Sequence, residues 1–230
     1  MRRLTVLQLL LVLTAVADAE EFSISLKGTF TTSTRFLYNV DRPATFGNER
    51  TLTSNFGYGA DIRWNILWDR FFIGFSIEKI TGNELRNELY SQYHFLPVPN
   101  EEGFEVLAME MSGYYIVPVS SENIKFYLGG GIGTYDGRRN YSIANVRAET
   151  ISSTSYLGIH VMTGIDYRIL ERVMLRFEIK FRDPHFDITT NFDQTSAEYL
   201  GYTIRLPQGE EVTKVNLFGV NYVGGLVFTL

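Results

Sequence analysis

The chain has no cysteine, so no disulfide can stabilise it, and an exported protein of this kind must draw its stability from elsewhere. The same lack rules out a lipid-anchored N-terminal cysteine. Beyond the first nineteen residues there is no long apolar run, which excludes a bundle of membrane-spanning helices. Positive charge is not in excess either. The whole chain holds 21 Lys and Arg against 26 Asp and Glu, a net charge of −5. Nucleic acid calls for a basic footprint, so it is not an expected partner. Histidine is scarce, at three residues.

The N-terminus carries a targeting pattern. Arg2 and Arg3 precede an apolar stretch from Leu4 to Val16, and Ala17-Asp18-Ala19 has the small-x-small form of a cleavage site. The stretch is short of the roughly 20 residues of a comfortable helical span. The expected division is a signal peptide over 1–19 and a single barrel domain over 20–230. Without Arg2, Arg3 and Asp18 the balance is 19 basic to 25 acidic residues, a net of −6. Aromatic residues are 14% of the chain and glycine is frequent.

The pattern that remains is alternation. Val173 to Arg182 places Val173, Leu175, Phe177, Ile179 and Phe181 on one face and Met174, Arg176, Glu178, Lys180 and Arg182 on the other. A period of two is that of a strand. Similar runs predict strands over Phe22–Thr32, Thr53–Ile66, Phe71–Ile80, Phe104–Val117, Ile124–Tyr135, Ser155–Tyr167 and Val215–Leu230. Phe218 belongs to the apolar side of the last. The connections alternate in length. Those at 67–70, 118–123 and 168–172 are short, whereas 33–52, 81–103, 136–154 and 183–214 are long and polar, as solvated loops are. In a meander every second connection lies at one end, so one end carries tight turns and the other long loops. The expectation is an all-β fold, an eight-stranded antiparallel up-and-down transmembrane β-barrel with short periplasmic turns and long external loops.

Two features choose the face that meets lipid. Trp64, Phe71, Phe75, Tyr115, Phe126, Phe177, Phe181, Tyr222 and Phe228 share the apolar face, and an eight-stranded interior is too narrow for so many rings. The polar face holds small residues, among them Gly57, Gly59, Gly129, Gly131, Gly133, Gly158 and Gly164, which suit a crowded lumen. That lumen would contain Lys27, Arg63, Lys125, Arg176, Lys180 and Arg182 with Asp61, Glu78, Glu110, Asp166 and Glu178. Unpaired charges there cost several kcal/mol each, so the expectation is an interlocked salt-bridge network that plugs the barrel. Trp64, Trp68, Phe71 and Phe72 flank the first short turn and read as an interfacial aromatic girdle.

The last residues, Gly225-Leu226-Val227-Phe228-Thr229-Leu230, resemble the C-terminal signal read by barrel-assembly machinery, with Leu230 in place of the commoner Phe. Gly113-Tyr114-Tyr115-Ile116-Val117-Pro118, followed by Phe126 to Gly133, is similar to the small outer-membrane barrels of the OmpA/OmpX type. The resemblance spans residues 20–230 in architecture and names a superfamily, not an activity. It implies residence in the cell outer membrane of a Gram-negative-type bacterium, contact with outer-membrane lipid and lipopolysaccharide, and insertion through the C-terminal strand.

Candidate chemistry is thin. Gly129-Gly130-Gly131-Ile132-Gly133 lies within a strand, not between a strand and a helix, and so lacks the context of a phosphate loop. His160 is expected in the lumen beside Asp166 and Glu110. The segment His160-Val161-Met162 lacks the His-x-Ser step of deacylase-type barrels. Asp183, His185 and Asp187 would share a face, and could hold a divalent ion, if the seventh strand ran past Pro184. No catalytic, metal or cofactor residue is assigned. The expected class is a non-enzymatic, monomeric surface protein that meets a ligand or host partner through its external loops. The alternative is a narrow porin-like channel or a carrier of small apolar solutes, with a lipid-modifying enzyme behind both.

Overall fold

A computed structural model describes residues 22–38, 49–68, 70–89, 96–217 and 219–230. The leader at 1–19 and Phe218 lie outside these. The described chain is all antiparallel sheet. Its strands are β1 (Phe22–Tyr38), β2 (Glu49–Leu67), β3 (Phe71–Leu89), β4 (Pro97–Ile116), β5 (Ile124–Ile143), β6 (Val146–Arg147) and β7 (Glu149–Ser153). They continue as β8 (Tyr156–Leu170), β9 (Val173–Arg182), β10 (His185–Asn191), β11 (Ser196–Tyr199), β12 (Tyr202–Arg205), β13 (Glu211–Asn216) and β14 (Gly219–Thr229). Alternation predicts eight strands, and fourteen form among the described residues. Much of what reads as long loop is strand. Residues 81–89 pair with 97–105, and β5 runs on to Ile143.

A circuit of pairings passes through β1, β2, β3, β4, β5, β8, β9 and β14 and returns to β1, where Ser23–Thr31 pairs with Thr229–Asn221. Closure leaves no sheet edge along this circuit, which a strand structure in lipid requires. The predicted last strand is divided. Val215 and Asn216 end β13, which pairs with the far end of β1 at Arg35–Tyr38 and with β10, while β14 pairs lower down. Three such divisions lie side by side: β7 from β8 at 154–155, β9 from β10 at 183–184, and β13 from β14 after Asn216. Pro184 supplies one cause, since it has no N–H to give a ladder. Its carbonyl instead accepts from the Leu217 N–H at 3.1 Å.

The outward face of the circuit is apolar, with Leu26, Phe56, Tyr58, Met111, Leu128, Ile159, Phe177 and Tyr222 all exposed. The interior is layered. At the tight-turn end Tyr114, Tyr127 and Met162 pack with Phe72 and Ile116. Phe72 therefore faces inward and is no part of an external girdle, while Trp68 is exposed and meets Phe71 edge-on. Above this layer lie buried charges. Above them is an apolar layer that includes Phe36, Leu52, Ile80, Phe104, Val106, Tyr135, Phe186, Ile188 and Val215. A further cluster, from Leu96 and Val98 to Ile204 and Leu206, covers the far ends of β4 and β5. In β1 both Thr31 and Thr34 are buried, as are Asn55 and Leu52 in β2, so the two strands change phase together. The Asn55 amide bridges that dislocation by donating to Thr34 Oγ1 at 3.0 Å.

Candidate functional site in the lumen

Alternation along β9 sends Met174, Arg176, Glu178, Lys180 and Arg182 inward. Neighbouring strands supply the partners. Asp166 of β8 lies beside Arg176 in register, and β2, β3 and β4 contribute Asp61, Arg63, Glu78 and Glu110. Arg176 makes a two-pronged contact with Asp166, both at 2.8 Å, and reaches Asp61 at 3.0 Å. Arg63 lies 3.1 Å from Glu178 and 3.3 Å from Asp61, with its guanidinium 3.7 Å over the Tyr114 ring. Lys180 meets Glu110 at 2.7 Å, and Arg182 meets Glu78 at 3.0 Å and Glu110 at 3.1 Å. Lys27 is 3.8 Å from Asp61.

These five cations and five carboxylates form one connected, electrically balanced set, each residue nearly free of solvent. Charged hydrogen bonds of this kind are short and strong, and the low dielectric that strengthens them makes a missing partner costly. Tyr127 and Tyr135 hydroxyls complete the shell by donating to Glu178 at 3.0 Å and Glu110 at 2.9 Å. The predicted network is therefore present, with ten of the eleven expected charges in it. Lys125 sits half-buried near the turn end, opposite Asp166 in register.

His160 is fully buried, as expected, but its partner is not an acid. Its Nε2 lies 2.8 Å from Ser112 Oγ, while Asp166 is engaged by Arg176. Ser112 of β4 and His160 of β8 stand on either side of Gly131 in β5, in register with both. A Cβ at Gly131 would sit far inside contact distance of the Met111 carbonyl oxygen and 2.8 Å from Ser112 Cα. The absent side chain is what lets the two neighbours meet across a strand. The sequence hid this pair because 48 positions separate its members. The aligned glycines of β5 were its one visible trace. His160 Nδ1 has no hydrogen-bond partner, and both residues are shut away from lipid and water. A nucleophile needs an oriented base and a substrate within reach, so this pair reads as part of the packing.

Asp183, His185 and Asp187 do not continue β9. The strand stops at Arg182, β10 begins at His185, and the His185 ring packs on Tyr156 with centroids 4.1 Å apart. Among the described residues no group of three His, Asp or Glu is placed to hold a metal ion.

No protein-family model matches the chain, and no curated protein matches it. Solved structures do. The outer membrane protein OprG from Pseudomonas aeruginosa superposes with a TM-score of 0.65 at 12% identity, covering 92% of this chain and 96% of that one. Neisserial surface protein A matches with a TM-score of 0.45 at 12% identity, over 90% of this chain and 96% of its own. Ail, the attachment invasion locus protein of Yersinia pestis, matches with 0.46 at 10% identity, over 92% and 99%. The likeness to OprG is one of fold. A closed antiparallel sheet that is apolar outside and charged inside is the form in which strands cross a membrane.

Proposed function

We propose that the circuit from β1 to β14 is an eight-stranded transmembrane barrel of the OmpA/OmpX type, that it is closed to ions, and that it acts without catalysis through its external end. The observation that carries this reading is the filled lumen: a balanced ionic layer with an apolar layer stacked directly on it. Water-filled passage needs a polar path from end to end, and Phe36, Ile80, Phe104 and Phe186 interrupt it. The wall is also longer than a membrane demands. Strands of 17 to 20 residues, as in β1 to β5, exceed the roughly 9–11 needed to cross. The surplus lifts a rigid platform above the lipid, suited to a surface ligand or a host partner. Residues 1–19 then act as the export signal, lipopolysaccharide and lipid surround the belt, and barrel-assembly machinery reads β14. The barrel is expected to be monomeric.

Planar-bilayer recording tests the reading. The purified barrel should give no resolved current steps, and steady steps of uniform size would overturn it. Mobility in gels tests the membrane fold separately: unboiled protein should migrate apart from boiled protein.

One observation favours the carrier reading as a second possibility. A cavity of about 410 Å³ at the level of the divided strands is lined by outward Ile159, Val161 and Phe181 and by inward His160 and Arg182. Its lining thus draws on both faces of the wall beside the apolar layer. If small apolar solutes use it, vesicles containing the barrel should take up a lipophilic dye faster than empty vesicles, with no accompanying current.

A further inference from the structure

On the outer face of the circuit, β1 to β4 carry an open groove of about 620 Å³. Ala60 is its floor. In register Ala60 stands between Leu26 of β1 and Ile77 of β3, and a methyl group between two larger side chains leaves the depression. One outward position higher, Tyr58, Lys79 and Leu107 are neighbours in register and line its upper end. Leu26, Tyr58, Ile77 and Leu107 are all exposed, so no part of the chain covers the groove. A row of charge follows above it. The Lys79 ammonium lies 2.8 Å from Glu105, and Glu105 is opposite Arg138 in register. One carboxylate thus serves two cations. Arg138 also lines a second, polar cleft of about 620 Å³, with Glu105, Asn140, Arg147, Glu149 and Thr150. This cleft lies where β5 and β7 part. Ala148 donates to the Tyr141 carbonyl and Ser153 to the Gly137 carbonyl, but no ladder joins the two strands between those bonds. Arg138 and Arg147 are exposed, Arg147 donates to Asn140, and neither arginine forms an ion pair among the described residues.

We propose that groove and cleft together hold one molecule of lipopolysaccharide. An acyl chain lies over Ala60, a phosphate sits on Lys79 and Arg138, and the sugar headgroup extends towards Arg147. The proposal rests on the membrane reading of the circuit from β1 to β14. Three observations point to this occupant. The groove is lined almost wholly by hydrocarbon and lies on the lipid-facing wall, where acyl chains are the solvent. Lys79 runs its stem along that hydrocarbon and holds its charge at the polar end, the arrangement that seats an anionic head above an apolar tail. Lys79, Arg138 and Arg147 outnumber Glu105 and Glu149, which leaves positive charge in excess, and arginine pairs with phosphate through two parallel hydrogen bonds. The Lys79–Glu105 pair joins the apolar site to the polar one. A glycerophospholipid, with one phosphate and a small head, fills the groove alone. A phosphorylated saccharide head spans both.

Native mass spectrometry of the barrel, refolded from urea in detergent, tests this with deep-rough lipopolysaccharide as the probe. The same glycolipid stripped of its phosphates and phosphatidylglycerol serve for comparison. One glycolipid should be retained per barrel, and each comparison lipid should bind at least fivefold more weakly. Ala60→Phe, which fills the groove, and the double variant Lys79→Gln/Arg138→Gln should each weaken retention at least fivefold. Leu128→Phe, outward on β5 away from both sites, should leave it unchanged. Unboiled gel mobility verifies the fold of every variant. The proposal falls if either site variant or either comparison lipid shows a smaller effect, if Leu128→Phe weakens retention as much as Ala60→Phe, or if barrels pair with one another and retain no glycolipid. Wild-type protein that migrates alike boiled and unboiled would sink the membrane reading before any lipid is added. A folded barrel that retains no glycolipid would sink the site alone.

Discussion

The lower and upper storeys of this barrel obey opposite rules. In the lower storey the wall is apolar outside and ionic inside: on β3, Ile73, Phe75 and Ile77 are exposed while Ser76 and Glu78 are buried. A few residues further along the same strand Ile80 is fully buried and Asn83 faces out. β4 repeats the change, from exposed Met111 and Met109 with buried Glu110 to buried Val106 and Phe104 with Glu105 outside. β5 does so between outward Ile132 and outward Asp136 and Arg138. The backbone alternation is unbroken in these strands, so the reversal belongs to the solvent. Where lipid surrounds the wall, apolar groups gain by facing out. Where water surrounds it, burial of the same groups is worth about 25 cal/mol per Å². On the proposed membrane reading, the level of reversal is the outer edge of the bilayer.

The largest effect should come from unpairing the ionic layer. Arg176→Ala leaves Asp61 and Asp166 buried without their main partner and should cost about 3–5 kcal/mol, read as a fall in the urea midpoint of the refolded barrel. A shift of less than 1 kcal/mol would mean the lumen is wetter than its geometry implies. Next comes the belt. Phe75→Arg places a charge in mid-wall lipid and should cost about 2–4 kcal/mol in a lipid refolding titration. Gly131→Ala should cost about 1–3 kcal/mol, since its methyl group must displace the Met111 carbonyl and part Ser112 from His160. An exchange-broadened His160 ring signal in NMR would report that parting. The smallest effect should be Leu85→Arg, on the outward face of β3 but in the upper storey, at under about 0.5 kcal/mol. If Leu85→Arg cost as much as Phe75→Arg, the bilayer edge would lie higher than the reversal of polarity places it.

The lower storey was legible in the sequence because lipid makes its alternation stark. Val173 to Arg182 reads there as a strand with one charged and one apolar face, and the charges it sends inward are those found in the network. The upper storey was not legible. At 81–103 and 136–154 the outward residues include Asn83, Glu101, Asp136 and Arg138, which resemble the content of loops, and the inward ones follow no single polarity, from Phe104 to Glu102 and Gly137 to Arg139. Phe72 was misplaced for a related reason. It stands next to Phe71 in a run of two rings, and only the pleat sends one out and the other in.

By itself the sequence determined the alternation, the short turns at one end, and a lumen with charges of both signs, because each follows from spacing along one chain. Tertiary structure alone decided which charges meet, since Arg63 and Glu178 lie 115 positions apart. It also decided that Ser112 finds His160 across a glycine, and that β13 and β14 divide one strand's work between two levels. Those facts depend on strand register around a closed ring, where the contacts of each residue are set by neighbours far away in the chain.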